Sequence, residues 1–160
     1  MLDQIKNHIV WWQSGQDPID LLEQDAVVMT SVWNGRTYGP IVEDAKPIGL
    51  VWDGQIWDID SWGIPKGTDN LDKALDFIRF ATGSKALAEQ AKYISYGPAR
   101  QSSMALISDE IKPHLPTAEA NMTNALQTDA EWWATNHDAL TDAFEAWLAE
   151  GGRGLSGMAR

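Results

Sequence analysis

Short apolar runs rich in β-branched and aromatic residues alternate with amphipathic stripes through the first two thirds of this 160-residue chain, and that alternation restricts the fold more than any other feature. Ile9-Val10-Trp11-Trp12, residues 26–32, residues 47–52 and residues 55–64 each read as extended, strand-forming segments. Between them, Asp17-Pro18 opens a helix to about Gln24, with Asp as its cap and Pro at its first position. Asn34-Gly35 and Asp53-Gly54 are turn signals, and residues 36–44 read as a helix. Leu71, Ala74, Leu75, Phe77, Ile78 and Ala81 predict a strongly amphipathic helix, and Ser84 is expected to cap another over residues 85–93. Short helices and turns follow. A helix over residues 130–149, striped by Trp133, Leu140, Phe144, Trp147 and Leu148, closes the chain. Gly151-Gly152 ends it, and residues 153–160 are expected to be a frayed tail. Strands alternating with helices predict an α/β fold. Hydrophobic strands of this kind sit centrally, with helices on both faces of the sheet.

The charge balance narrows the partners. Twenty-three acids against twelve bases give a net charge of −11, which argues against nucleic acid, whose phosphates need a basic face. The same charge steers cations toward the surface. With no Cys there is no disulfide framework, zinc finger or thiol nucleophile. No apolar run approaches the ~20 residues that cross a bilayer. The opening Met1-Leu2-Asp3-Gln4-Ile5-Lys6 lacks the charged-then-apolar order of a secretion signal. Dinucleotide-binding and P-loop glycine patterns are missing, so no cofactor is expected. His8, His114 and His137 are not at metal-ligand spacing, and Asn136-His137-Asp138 has no marked nucleophile to complete a triad.

The chemistry concentrates in Trp57-Asp58-Ile59-Asp60-Ser61-Trp62, in a chain with nine Trp. An indole face attracts a cation through its quadrupole. A carboxylate beside it adds a charge-assisted hydrogen bond. Asp58 and Asp60 share one face of a strand and Trp57 takes the other, which suits an organic ammonium. A solvated acidic edge is the plainer reading of the same pattern. Acid/base catalysis by Asp58 and Asp60 is another. Calcium is less favoured, because the neighbours are indoles rather than oxygen donors. Trp33 stands at the end of a strand, where open α/β sheets bind ligands, although a core indole fits as well. Tyr96, before Gly97-Pro98, is either a hinge anchor or a pocket wall. Trp132 and Trp133 are adjacent on a helix, so both cannot face one core.

The order of these motifs resembles the C-terminal half of the periplasmic spermidine/putrescine-binding proteins of ABC transporters. The matching segments are Val32-Trp33-Asn34-Gly35, the stretch from Trp57 to Gly67, and the helix from Ala74 to Thr82. Tyr93-Ile94-Ser95-Tyr96-Gly97-Pro98, Leu115-Pro116-Thr117 and Glu131-Trp132-Trp133 continue the match over roughly residues 5 to 149. The resemblance implies a two-lobed clamshell that holds its solute in the cleft and delivers it to a permease in the membrane, without catalysis. It implies one lobe from residues 1–57 with 105–150 and the other from residues 58–104, within a periplasmic protein. Asp60 would grip an amine, Trp33 would pack on its carbons, and Trp57 and Asp58 would flank the hinge strand. Tyr96 would line the cleft, and Trp133 stands where the family can carry a polar ligand residue. Asp58 stands where polyamine binders can carry an aromatic, which leaves the identity of the amine open. A neutral or anionic solute such as a sugar remains the alternative, since indoles stack on sugar rings too. The family's first half has no counterpart here. The expectation is therefore a fragment with weak or no affinity, whose uncovered edges and apolar faces draw it into a homo-oligomer.

Overall fold

The computed structural model describes residues 2–150. In chain order the elements are α1 (Leu2–Ile5), α2 (Asp17–Glu23), β1 (Ile56–Trp57), α3 (Leu71–Ala81), α4 (Ser84–Gln90), α5 (Gln101–Met104), β2 (Leu126–Gln127) and α6 (Ala130–Ala149). Tight 3-10 turns cover Lys6–His8, Asn34–Arg36 and Lys112–His114, and a wide π turn covers Gly39–Glu43. The Gly151-Gly152 helix end and the tail over residues 153–160 lie outside the described residues. The chain forms two compact units, one from the residues up to Trp11 with those from Thr128 onward, the other from Trp12–Gln127.

The helices with the strongest local signals form where the sequence places them. α6 spans residues 130–149 as expected, and the Asp129 carboxylate accepts the Trp132 backbone N–H at 2.9 Å. That bond satisfies one of the first-turn donors that no helix can pair internally. α3 runs over the periodic stretch, but much of its apolar face is exposed, including Leu71, Phe77 and Phe80. α2 starts at Asp17 with Pro18 in its first turn, but Gln16 holds the cap position. The Asp17 carboxylate reaches backward instead. It accepts the backbone N–H groups of Gln13 and Ser14, both at 2.9 Å, and the Ser14 hydroxyl. These bonds, the Ser14 hydroxyl first, lower its pKa from 3.8 to about 2. Ser84 is likewise the first residue of α4 rather than its cap. Gly83 holds that place, and the Ser84 hydroxyl pairs with that of Ser102 at 2.6 Å.

The helix expected over residues 36–44 does not form. It gives way to the 3-10 turn and the π turn. Pro40 explains the break, because it has no N–H to offer and its ring crowds the carbonyl four residues earlier.

The largest correction concerns the strands. Of the four extended runs, only Ile56–Trp57 pairs, and its partner is Leu126–Gln127, in a stretch that reads in the sequence as short helices and turns. The pair is parallel, with Ile56 opposite Leu126 and Trp57 opposite Gln127, and the Leu126 N–H donates to the Gln55 carbonyl at 2.8 Å. Residues 9–12, 26–32 and 47–52 carry no regular structure. Side-chain pattern specifies which face of a strand is buried. Only a neighbouring backbone can complete the ladder. Residues 47–52 show the difference: Ile48, Leu50 and Trp52 are half-buried while Pro47, Gly49 and Val51 are exposed, a period of two without a partner strand.

The buried core is small and lies in the second unit. Ala88, Ala91, Ile107 and Leu115 form it, with Met104 and Ile111 packed against them, so that α4, α5 and the loop after α5 share one apolar centre. Pro18, Ile19 and Leu21 of α2 are buried as well.

In the first unit, α1 and its following turn are tied to the C-terminal end of α6. The Trp147 indole N–H donates to the Asp3 carboxylate at 2.6 Å. The Lys6 ammonium sits 4.3 Å from the centre of the same ring and also donates to the Trp147 carbonyl. A cation there meets both the ring face and the negative end of the helix dipole. Trp11 meets Phe144 edge-on at 5.5 Å, and Phe144 stacks on Trp147 at 5.6 Å. Trp132 and Trp133 are both exposed, edge to face at 5.4 Å. Among the described residues, no helix is long and apolar enough to cross a membrane.

Candidate functional site

The site is assembled in the second unit from loops that converge on Asn34-Gly35. The Asn34 side-chain amide donates to the Ser95 carbonyl, and the Ser95 hydroxyl returns a bond to the Asn34 carbonyl at 3.1 Å. The Thr37 hydroxyl donates to that same carbonyl at 2.7 Å. Ser95 and Thr37 are buried, so this reciprocal pairing joins the turn after Trp33 to the loop that carries Tyr96 in a water-poor setting. Gly35 is required by proximity: a Cβ there would lie 2.6 Å from the Tyr96 ring and 2.9 Å from Ile94. Gly15 plays the same part on the other side, where a Cβ would lie 2.8 Å from the Trp33 ring and 3.4 Å from the Arg36 guanidinium Nε. Trp12 meets Trp33 edge to face at 5.4 Å.

Trp12, Trp33 and Arg36 therefore gather near Gly15, and Gly35 packs the turn after Trp33 against Tyr96. Trp33 stays exposed and Tyr96 half-buried, so indole and phenol surface remain open to a guest. Arg36 is the residue that the sequence reading passed over. No pattern in the sequence marks it: the Arg36 N–H donates to the Trp33 carbonyl at 2.9 Å, and that single turn brings the two side chains to Gly15 together. Arg36 is exposed and, among the described residues, has no carboxylate partner.

A second set of bonds ties this cluster to β1. Tyr96 leads into Gly97, where a Cβ would lie 2.3 Å from the Thr117 methyl. The Gln55 side-chain amide donates to the carbonyls of Pro116 at 3.0 Å and Asn121 at 2.8 Å, which anchors the start of β1 to the same loop. Trp57 ends β1 half-buried. Asp58 and Asp60 lie just beyond it, both exposed. The Asp58 carboxylate accepts the Ile59 N–H at 2.8 Å, and Asp60 has no hydrogen bond or ion pair among the described residues. The segment is pinned again two residues later, where Trp62 meets Phe77 of α3 edge-on at 5.2 Å. Asp60 thus sits on a short span between two aromatic anchors. Three residues of chain hold its Cα within ~11 Å of that of Trp57.

Of the expected site residues, Trp33 precedes the turn that packs through Gly35 against Tyr96, and the β1 strand of Trp57 is tied through Gln55 to the segment that meets Gly97 at Thr117. Asp58 and Asp60 follow on the exposed span. Trp133 belongs to the other unit, where it meets the Trp132 ring edge to face. His137, the imidazole considered for a triad, is exposed and lies 3.1 Å from the equally exposed Asp138. No group of three or more acidic or His side chains is placed to hold a metal among the described residues.

Comparison with known proteins bears on what such a cluster serves. The chain is 36% identical over 148 residues to a gamma-aminobutyric acid-binding protein of Pseudomonas aeruginosa, a match that takes in 92% of this chain and 42% of that one. Among solved structures, a GABA receptor superposes with a TM-score of 0.82 at 30% identity, over 96% of this chain and 47% of the other. An ABC transporter substrate-binding protein from Bradyrhizobium japonicum gives 0.80 at 28% identity, over 95% and 47%. The agropinic-acid complex of AgtB from A. tumefaciens R10 shares the fold, with a TM-score of 0.78 at 24% identity over 92% and 46%. The chain therefore spans a little under half the length of these relatives, as part of an α/β clamshell fold of the periplasmic-binding type. Residues 1–119 match the family model for bacterial extracellular solute-binding proteins, and the chain belongs to that family.

Proposed function

We propose that this chain contributes to the solute-binding component of a bacterial ABC importer, acting in the periplasm, and that its solute is a small linear amino acid of the GABA type. The observation that carries the reading is the shared position of Trp33 and Arg36 against Gly15, on a turn that packs through Gly35 against Tyr96. A guanidinium there offers two parallel donors to a carboxylate, a geometry that lysine lacks. Asp60 supplies the opposite charge for an ammonium. Trp33 and Tyr96 supply the faces between which methylene groups lie out of water. Asp58 assists at the hinge strand, and Trp57 supports it. Arg36 and Asp60, each without an ion-pair partner among the described residues, would match the two charges of a zwitterion, with Trp33 and Tyr96 taking its aliphatic spacer. The P. aeruginosa and GABA-receptor relatives, both named for such a solute, support the choice.

A polyamine such as putrescine or spermidine, the ligand of the family that the motifs resemble, would satisfy Asp60 but would set an ammonium near Arg36 with no anion to offset it. In this reading one lobe takes residues 1–57 with 105–150 and the other residues 58–104, a division other than that of the two compact units, and closure of the cleft excludes water from the bound solute. A permease then receives it.

Calorimetric titration with GABA and with putrescine tests this. GABA is expected to bind more tightly. Arg36→Ala is expected to weaken GABA by roughly ten- to a hundredfold, the effect of losing a hydrogen bond to a charged group at about 1.5–3 kcal/mol, while leaving putrescine unchanged or improved. Asp60→Asn is expected to weaken both. Tighter binding of putrescine than of GABA by the unaltered protein would return the polyamine reading. GABA binding indifferent to Asp60→Asn would remove that residue from the site.

A further inference from the structure

The Asn34 carbonyl takes three donors at once: the Thr37 N–H at 3.0 Å, the Thr37 hydroxyl at 2.7 Å and the Ser95 hydroxyl at 3.1 Å. A carbonyl oxygen has two lone pairs, so three donors leave it fully engaged. In the opposite direction the Asn34 side-chain amide donates to the Ser95 carbonyl. Thr37 and Ser95 are only 4% and 3% exposed, so water has little access to replace a bond that is lost. A single hydrogen bond between two loops is a pivot. Two bonds running in opposite directions between the same two residues fix distance and angle together.

The buried hydroxyls of Thr37 and Ser95 are spent on this oxygen, so what they serve is the backbone beside them. Trp33 precedes Asn34, and Tyr96 follows Ser95. Arg36 lies between two pinned peptides, since its own N–H donates to the Trp33 carbonyl at 2.9 Å and the next N–H, that of Thr37, donates to Asn34. Beyond Tyr96, Gly97 packs on Thr117, and the Gln55 amide ties the neighbouring Pro116 carbonyl to the start of β1. β1 leads within three residues of its end to Asp60. The Asn34–Ser95 exchange is thus one link in a continuous path from the Arg36 turn to the strand before Asp60. Beside that path the Tyr38 ring meets His114 edge to face at 5.3 Å. This contact keeps the segments together when one hydroxyl is removed, so such a change loosens their angle without parting them.

We propose that Asn34, Thr37 and Ser95 are positioning residues, a rigid joint that sets the Arg36 guanidinium relative to Asp60 and thereby selects the number of methylene groups between the two charges of the solute. The inference rests on the assignment of Arg36 and Asp60 to the two ends of a zwitterion. One methylene more or less is worth about 10–200-fold in a site that holds its shape. A loose joint would let the turn follow each homologue and would forfeit that difference.

The test is calorimetric titration with β-alanine, GABA and δ-aminovalerate, which differ by one methylene each, together with amide exchange of the free proteins. The unaltered chain is expected to prefer one of the three by roughly tenfold or more. Ser95→Ala and Thr37→Val each remove one hydroxyl and leave the Asn34 oxygen two other donors, so the fold is expected to persist. Both should cut the preference by roughly fivefold or more, the worth of one hydrogen bond, and speed exchange of the Arg36 and Tyr96 amides by a similar factor. Thr37→Ser, which keeps the hydroxyl, should retain the parent preference and exchange. If Ser95→Ala fails to fold, the Thr37→Val and Thr37→Ser pair decides.

An unchanged preference in the folded variants overturns the proposal. So does a loss of affinity by one common factor for all three solutes, which marks a merely structural bond. So does a preference lost equally in Thr37→Ser, or exchange at Arg36 and Tyr96 that matches the parent in both hydroxyl-free variants. Arg36→Ala separates the two levels. If it weakens GABA while the preference survives Ser95→Ala and Thr37→Val, the joint alone is wrong. If it leaves all three affinities unchanged, or none of the three binds the parent, the zwitterion assignment fails and takes the selective role with it.

Discussion

At Gly35 a single hydrogen atom decides how the turn meets Tyr96. A methyl group there would have to occupy space 2.6 Å from the Tyr96 ring and 2.9 Å from Ile94, so one of them must shift, and both flank Ser95, which pairs with Asn34. Gly35→Ala is therefore expected to destabilise by about 1–3 kcal/mol, the usual effect of overpacking, with a matching change in Tyr96 fluorescence or chemical shift on the same sample. Urea unfolding that superposes on that of the parent would show the space to be softer than the geometry says. Arg36 illustrates the limit of reading side chains one at a time. The run Trp57-Asp58-Ile59-Asp60 stands out because its chemistry is contiguous. Arg36 stands out only once the turn at Asn34–Arg36 and the approach of Gly15 place it beside Trp33.

Helix ends give sharper expectations than helix middles. Asp129 caps α6 through the Trp132 N–H, so Asp129→Ala should cost about 0.5–2 kcal/mol and fray the first turn, measurable as a lower midpoint in thermal unfolding and faster exchange of the Trp132 amide. A midpoint unchanged within error would mean that water replaces the carboxylate without loss. α2 is governed by pH. The Asp17 carboxyl, held at about 2 by the Ser14 hydroxyl and by the N–H groups of Ser14 and Gln13, is stabilised in its charged form by folding. Its contribution is complete above the ordinary value of 3.8 and is lost as pH falls through about 2. Amide exchange of Gln13 and Ser14, corrected for intrinsic rates, should accelerate over that window and not between pH 5 and 7. Asp17→Asn should remove the acid dependence. A variant that still shows it would assign the effect to another carboxyl.

On the scale of the molecule, the exposed apolar segments of the second unit and the open face of α3 predict that the isolated chain binds a hydrophobic dye such as ANS. Dye fluorescence as low as that of an ordinary folded domain would show that the chain already covers these faces by itself.

Much of this architecture is local, and local structure is written in consecutive residues. The boundaries of α6 follow from one cap and one stripe, and α2 and α3 from a proline at the start and a period near 3.6. The aromatic and acidic character of the 57–62 segment needs no fold to be recognised. Sheet pairing is a different kind of information, because a strand exists only when a second backbone, here 70 positions away, accepts and donates its hydrogen bonds. Residues 26–32 and 47–52 have the composition of strands and no such partner, so composition alone misplaced them. The arrangement of Trp33, Arg36 and Tyr96 is likewise a product of tertiary contact. It depends on two glycines that let separate loops touch and on an Asn–Ser exchange across 61 residues; Asn34-Gly35 is legible as a turn, but the loops it meets are not.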